Sequence, residues 1–256
     1  MQSLKAHFLP KLTTPEELAG GAVVVIDVLR ATTVIAHALA AGARQVIPCL
    51  EVDDALQTAA RLPKGEAVLG GERGGLKIDG FDLGNSPDEF TPQSVGGKTL
   101  VFTTTNGTRA MMACQQARRV VTGAFVNASA VADSLAGEKN VHLLCAGTRG
   151  EVTREDVLCA GLLADRLTPR ESSDLEINDQ LLIARDLWRA FFADRDSADA
   201  TGSLALTLRS TQGGRNLMRL GLEHDIEVAA QMDRFTIVPQ LDLERMVIEK
   251  RPRVLD

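Results

Sequence analysis

Val24-Val25-Ile26-Asp27-Val28-Leu29-Arg30-Ala31-Thr32-Thr33 begins as an unbroken β-branched run, stops at a carboxylate, and passes through an arginine into an alanine-rich segment. A continuous apolar run closed by a turn reads as a strand buried on both faces, and such strands alternate with helices in parallel sheets. The pattern predicts a strand over 23–27 and a helix over 31–41. Leu100-Val101-Phe102-Thr103-Thr104-Thr105-Asn106-Gly107-Thr108-Arg109 repeats the same order, predicting a strand over 99–103 and a helix over 108–117. A third unit runs from a strand over 141–145, through Ala146-Gly147-Thr148-Arg149-Gly150, into a helix from Arg154, with Thr153 and Asp156 spaced as its start cap. The expected architecture is α/β: layered α/β/α with a mostly parallel or mixed sheet. Residues 1–256 are expected to form a single unit, with two lobes around a cleft left open and a lobe boundary near 120. Open α/β sheets place ligands at the carboxyl ends of their strands, which points to the turns at 27–33 and 103–109.

Between these two units lies 69–87, so rich in glycine (Gly70, Gly71, Gly74, Gly75, Gly80, Gly84) that it reads as loop over most of its length. Farther on, 181–192 reads as an apolar helix carrying the single Trp188 and packing on the sheet, and 194–203 as a polar loop. A helix over 221–232 and a strand over 235–238, stopped by Pro239, complete the pattern, and the charged tail to Asp256 gives no reading.

Composition removes several function classes. In 256 residues, 28 Lys and Arg face 34 Asp and Glu for a net charge of −6, aromatics are 4%, and there is no Tyr. That chain lacks the basic stripe and stacking rings of a nucleic-acid binder. A hydrophobic fraction of 45% with a mean hydropathy of 0.00 excludes disordered and fibrous classes. No stretch approaches the ~20 apolar residues of a membrane span, and no secretory leader pattern opens the chain, so the expectation is a cytoplasmic protein without a membrane partner. Cys49, Cys114, Cys145 and Cys159 form no Cys-x-x-Cys pair, and His7, His37, His142 and His224 fall at no ligand spacing; both sets read as core or surface residues. Phosphate-binding P-loop, dinucleotide-binding and Gly-x-Ser-x-Gly patterns are also missing.

What remains is oxygen and arginine chemistry. Thr103 to Arg109 can aim hydroxyls, backbone N–H groups and one guanidinium at a tetrahedral anion, or can be an ordinary Asn-Gly turn after a threonine-rich strand end. Asp27, ending its strand with Arg30, Thr32 and Thr33 next, can hold Mg²⁺ through one or two oxygens, or can cap the helix and pair with Arg30. Glu72-Arg73, flanked by Gly70-Gly71 and Gly74-Gly75, can reach into a cleft or be a solvated turn.

Together these segments resemble the 2-phosphosulfolactate phosphatase family, as do Gly80-Phe81-Asp82-Leu83-Gly84-Asn85-Ser86-Pro87, Cys145-Ala146-Gly147-Thr148 with Glu155-Asp156, and the stretches 210–217 and 233–239. The resemblance spans nearly the whole chain. It implies a Mg²⁺-dependent phosphatase that cleaves 2-phosphosulfolactate to sulfolactate and phosphate on the way to coenzyme M, with a fold particular to the family. The alternatives carried with it are another phosphorylated hydroxy acid as substrate, or a non-catalytic phospholigand-binding protein. On this reading Asp27, Glu72 and Asp156 are the catalytic and metal-holding carboxylates. The substrate-binding residues are then Arg30, Thr32, Thr33, Arg73, Asn85, Ser86, Thr104, Thr105, Asn106, Gly107, Thr108, Arg109, Gly147 and Thr148. Arg149 stands beside them, the partner is a small anionic substrate, and a homo-oligomer is left open.

Overall fold

The computed structural model describes residues 1–168, 175–193 and 200–251. Its strands are β1 (Ser3–His7), β2 (Ala22–Ile26), β3 (Gln45–Cys49), β4 (Ala67–Arg73), β5 (Leu76–Lys77), β6 (Thr99–Thr103), β7 (Arg119–Gly123), β8 (Asn140–Cys145), β9 (Glu176–Ile177), β10 (Val238–Asp242) and β11 (Val247–Arg251). They form one sheet in the order β5-β4-β6-β3-β11-β10-β7-β2-β8-β1-β9. β4, β6 and β3 are mutually parallel, and so are β7, β2, β8, β1 and β9. The C-terminal hairpin β10–β11 joins the two parallel blocks through antiparallel ladders on both sides. The architecture is therefore α/β with a mixed sheet.

Three antiparallel steps make the blocks run in opposite senses, yet their carboxyl ends meet. Rotation of about 20–25° per strand accumulates over the five steps from β6 to β2, so the strands of one block cross those of the other. One core shows the result: Val23 and Val25 of β2 and Leu100 and Phe102 of β6 share it with Val34, Ile35, Ala110 and Met111. The opposite face of β2, through Ala22, Val24 and Ile26, belongs to a second core beneath Leu158, Leu162 and Trp188. Burial on both faces is why β2 and β6 read as unbroken apolar runs.

The helices are α1 (Ala31–Ala40), α2 (Val52–Ala60), α3 (Pro92–Val95), α4 (Gly107–Met112), α5 (Ala128–Ser134), α6 (Arg154–Leu167), α7 (Asp179–Ala193), α8 (Ala200–Arg209), α9 (Gln212–Arg219) and α10 (Glu223–Ala229). Among the described residues none is long and apolar enough to cross a membrane. All four cysteines are free and buried. The expected helix at 31–41 is α1, and its inward burial from Ala31 to Leu39 explains its uniformly apolar sequence. Trp188 of α7 is buried against Phe125 and Phe191.

Several expectations are corrected. The glycine-rich segment is loop over most of its length, as expected, but it opens as strand through Arg73 and turns back briefly as β5. Glycine serves close approach here: a Cβ on Gly71, whose φ is 148°, would lie 2.1 Å from the Thr103 carbonyl oxygen. The strand expected to stop at Pro239 instead starts beside it and contains it. The proline's missing N–H is tolerated because β10 pairs with β7 only at Gln240 and Leu241. The unread tail holds β11, an interior strand. α4 ends at Met112 rather than near 117, since the chain must turn to enter β7. Thr153 sits at the N-cap of α6 but donates its hydroxyl to Asp156 instead of accepting a backbone N–H. Of the polar stretch 194–203, residues 194–199 lie outside the described residues and the remainder opens α8.

Candidate active site

The turn after β2 is stitched from within. Thr32 Oγ1 donates to the Asp27 carbonyl (2.9 Å) and accepts from the Asp27 N–H (3.1 Å), while Thr33 Oγ1 donates to the Val28 carbonyl (2.8 Å). Both hydroxyls are thereby occupied with backbone and neither lines the cleft. Asp27 Oδ1 accepts the Ala31 N–H (3.2 Å) at the start of α1. Asp27 Oδ2 lies 2.9 Å from where a Cβ on Gly107 would stand, so the two turns touch at a position where any larger residue would force a neighbour to shift. Arg30 is buried, its Nη1 2.7 Å from Asp225 Oδ2 on α10 and its Nη2 donating to the Gly75 carbonyl (2.7 Å). Ser86 Oγ donates to the same Asp225 oxygen (2.9 Å), so Ser86 braces the ion pair.

The β4–β5 hairpin brings Glu72 across to the second turn. Glu72 Oε1 accepts both the N–H and the hydroxyl of Thr105 (2.9 Å each), and Oε2 accepts the Gly75 N–H (2.7 Å). Arg73 donates to the carbonyls of Glu72 and Leu50 and to Thr103 Oγ1. Thr104 and Thr108 place their hydroxyl oxygens 3.5 Å apart, and Asn106 Oδ1 accepts the Arg149 N–H (3.1 Å). Arg109 is exposed and does not line the cleft.

Asp156 acts on the other side of Asp27. Its Oδ1 accepts the Val28 N–H (2.9 Å) and its Oδ2 the Gly147 N–H (2.9 Å), which fixes the turn after β2 to the turn after β8. It does not line the cleft, and neither do Gly107, Thr108 or Gly147. The cleft, of about 490 Å³, is instead walled by Asp27, Arg30, Glu72, Arg73, Asn85, the 104–106 turn, Thr148 and Arg149, and is roofed by α9 through Gly213, Asn216, Leu217, Arg219 and Leu220. The roof escaped the sequence reading because α9 gains its place by docking: the Gly213 N–H donates to Glu155 Oε1 (3.1 Å). Thr211, whose hydroxyl caps α9 at Gly214, is the local signal that was available.

Burial, with the Glu72 and Glu155 charges close by, pushes the Asp27 carboxyl up to about 7 despite the Ala31 N–H. Burial likewise raises Asp156 well above the carboxylate range, reinforced by the charges of Asp27 and Glu155, and raises Glu155. Asn85, though buried, leaves Oδ1 without a protein partner, and so does Glu155 at Oε2.

These oxygens bear on whether the site suits Mg²⁺. Among the described residues no three His, Cys, Asp or Glu side chains gather as a ligand set. Mg²⁺ keeps most of its waters and needs only one or two carboxylates. Asp27 and Glu72 supply those, Asn85 lines the same cleft and keeps a buried Oδ1 that no protein donor satisfies, and mutual repulsion among the carboxylates favours a cation. The residues fit the ion.

Comparison with known proteins identifies the family. A protein of Symbiobacterium thermophilum named "Probable 2-phosphosulfolactate phosphatase" is 43% identical over 225 residues, 88% of this chain and 92% of its own length. Proteins of the same name from Carboxydothermus hydrogenoformans and Prochlorococcus marinus (strain MIT 9303) are 39% and 38% identical, over 92% and 91% of this chain and 94% of each relative. With the family's sequence profile matching residues 7–244, a span that holds every wall of the cleft, the chain belongs to the 2-phosphosulpholactate phosphatase family.

Proposed function

We propose that this protein hydrolyses 2-phosphosulfolactate to sulfolactate and phosphate, with Mg²⁺, in the cleft between Asp27 and the 104–106 turn. The observation that carries the reading is a buried carboxylate, Asp27, set against a second strand-end turn whose N–H and hydroxyl groups are organised by Glu72. Phosphoryl transfer needs charge neutralised on the equatorial oxygens and an in-line group at phosphorus. Arg30 and Arg73 supply fixed positive charge along the wall, with guanidinium groups already oriented by protein acceptors. Asp27 supplies the reacting carboxylate: held at Oδ1 by Ala31, it presents Oδ2 either to phosphorus or to the proton of an attacking water. With its carboxyl raised to about 7, Asp27 can take that proton near neutral pH, while the leaving oxygen, on the opposite side of phosphorus in an in-line displacement, takes its proton from water. Glu72 and Asp27 would hold Mg²⁺, which supplies Lewis-acid neutralisation of phosphoryl charge when bound. Asp156, fastening both flanking turns, keeps Asp27 in register.

The test is phosphate release from 2-phosphosulfolactate, phospholactate and an aryl phosphate, each with Mg²⁺ and with chelator. Metal-dependent release favouring the sulfonated ester is the expected result. Preference for phospholactate transfers the activity to another hydroxy acid, and no release from any ester rejects catalysis.

A further inference from the structure

We propose that Arg149 is the specificity-determining residue of the cleft, binding the non-reacting oxyanion, sulfonate or carboxylate, of a phosphomonoester that carries a second acid group. The assignment rests on the phosphatase reading above. Of the arginines that line the cleft, Arg30 is engaged by Asp225, Ser86 and the Gly75 carbonyl, and Arg73 by two carbonyls and Thr103. Arg219 donates to the Arg215 carbonyl and to Asn216. The Arg149 guanidinium has no hydrogen bond or ion pair among the described residues, so its planar fork is available to an oxyanion.

Its backbone is held where an L residue rarely sits. Arg149 has φ 55°, between Gly147 (65°) and Gly150 (78°), in a turn closed by reciprocal Thr148–Glu151 hydrogen bonds of 3.0 Å. Conformations of this kind persist only where the surroundings over-determine them, and they cluster at ligand sites. Three tethers do so here: Asn106 Oδ1 accepts the Arg149 N–H, Asp156 holds the Gly147 N–H, and Gln212 Nε2 at the start of α9 donates to Glu151 Oε2 (2.9 Å). A Cβ on Gly147 would stand 2.4 Å from the Glu151 carbonyl oxygen, so the close approach that forms the turn requires glycine there.

Its place in the cleft separates it from the other cations. α9 spans about 12 Å at 1.5 Å per residue, with Gln212 at the Arg149 turn and Leu220 at the Gly75 hairpin, beside Arg30. Arg149 therefore occupies the end of the cleft remote from the hairpin, joined through Asn106 to the 104–106 turn that faces the reacting phosphoryl group. A substrate seated on that turn extends its second acid toward an unpaired guanidinium.

Equilibrium binding to the intact protein with Mg²⁺ tests this without relying on turnover. Sulfolactate, lactate and inorganic phosphate are titrated separately into wild type, Arg149→Gln and Arg149→Lys. The expected result is a loss of sulfolactate affinity of about tenfold or more in Arg149→Gln, at the scale of a charged hydrogen bond, with a smaller loss in Arg149→Lys and phosphate affinity within twofold of wild type. If lactate weakens in parallel the group recognised is the carboxylate; if only sulfolactate weakens it is the sulfonate. Equal loss of phosphate and sulfolactate, no change in either, or no sulfolactate binding to wild type overturns the assignment. Wild type that binds both ligands selectively through Arg149 yet releases no phosphate from any ester overturns the catalytic reading alone.

Discussion

The turns at 27–33 and 103–109 look alike in sequence, each a strand end followed by hydroxyls, an arginine and a helix start, and the structure puts them to opposite uses. In the first, both threonine hydroxyls bond the turn's own backbone and the arginine is buried in an ion pair. In the second, Thr105 and Asn106 bond partners distant in sequence, Glu72 of β4 and Arg149, and the arginine is left in solvent. The first turn is a rigid mount for one carboxylate. The second is a junction where the end of β4 and the Arg149 turn meet the turn after β6, so similar local sequences acquire different work from what packs against them.

Removing the mounted carboxylate's charge is the largest expected break. Asp27→Asn should lower phosphate release by about 10³-fold or more, the scale of losing a principal catalytic group. It should also stabilise the fold at pH 8. The folded carboxyl titrates near 7 against 3.8 unfolded, so the folded state holds the proton more tightly and loses stability as pH rises between those values. The amide, having no charge to bury, escapes that loss. Thermal melts at pH 8 should favour the variant by a few kcal/mol at most, and the gain should vanish at pH 4; a variant no more stable at pH 8 than wild type would show that Asp27 is not desolvated.

The two arginines sharpen the contrast next. Arg30→Met leaves Asp225 buried with only the Ser86 hydroxyl, and breaking a buried pair in this way costs about 3–5 kcal/mol. Denaturant titration reads it directly. Gly107→Ala strikes where the turns touch: its methyl would stand 2.9 Å from Asp27 Oδ2 and 2.8 Å from the Ala31 Cβ. Overpacking of this kind costs roughly 1–3 kcal/mol, and kcat should fall more than KM rises, because the reacting oxygen moves while the cleft walls remain.

How much of this was legible follows from where each residue gets its constraint. β2, β6 and β8 were readable because strands buried on both faces must be apolar throughout, and Asp27 was readable as the first break in such a run. β4 was misread because its glycines answer to Thr103 and Leu100 on the next strand, a tertiary demand that imitates loop composition. β10 alternates and contains a proline, and β11 is two apolar residues followed by three charged ones, which local signals discount, yet they bridge the two blocks. Thr32, Thr33 and Thr108 were grouped with the ligand-facing residues because a hydroxyl's type is visible in sequence and its direction is not. α9 and the Arg149 turn were assembled by long-range contacts through Glu155, Gln212 and Asn106, which no window of sequence contains.

Arg109→Ala is the smallest effect and the most exacting test of the comparison. Position 109 stands in the second turn as Arg30 stands in the first, and sequence alone assigns both to the anion. In the structure the Arg109 side chain is exposed on α4, outside the cleft, with no ion pair among the described residues. Its removal should change stability by no more than about 0.5 kcal/mol and leave kcat/KM within twofold. A tenfold loss of kcat/KM with unchanged stability would mean that the second turn swings its arginine over bound substrate, and the two turns would then be alike in function after all. The same measurement on Arg30→Met cannot make that distinction, because there the guanidinium holds the wall together whether or not it also touches phosphate.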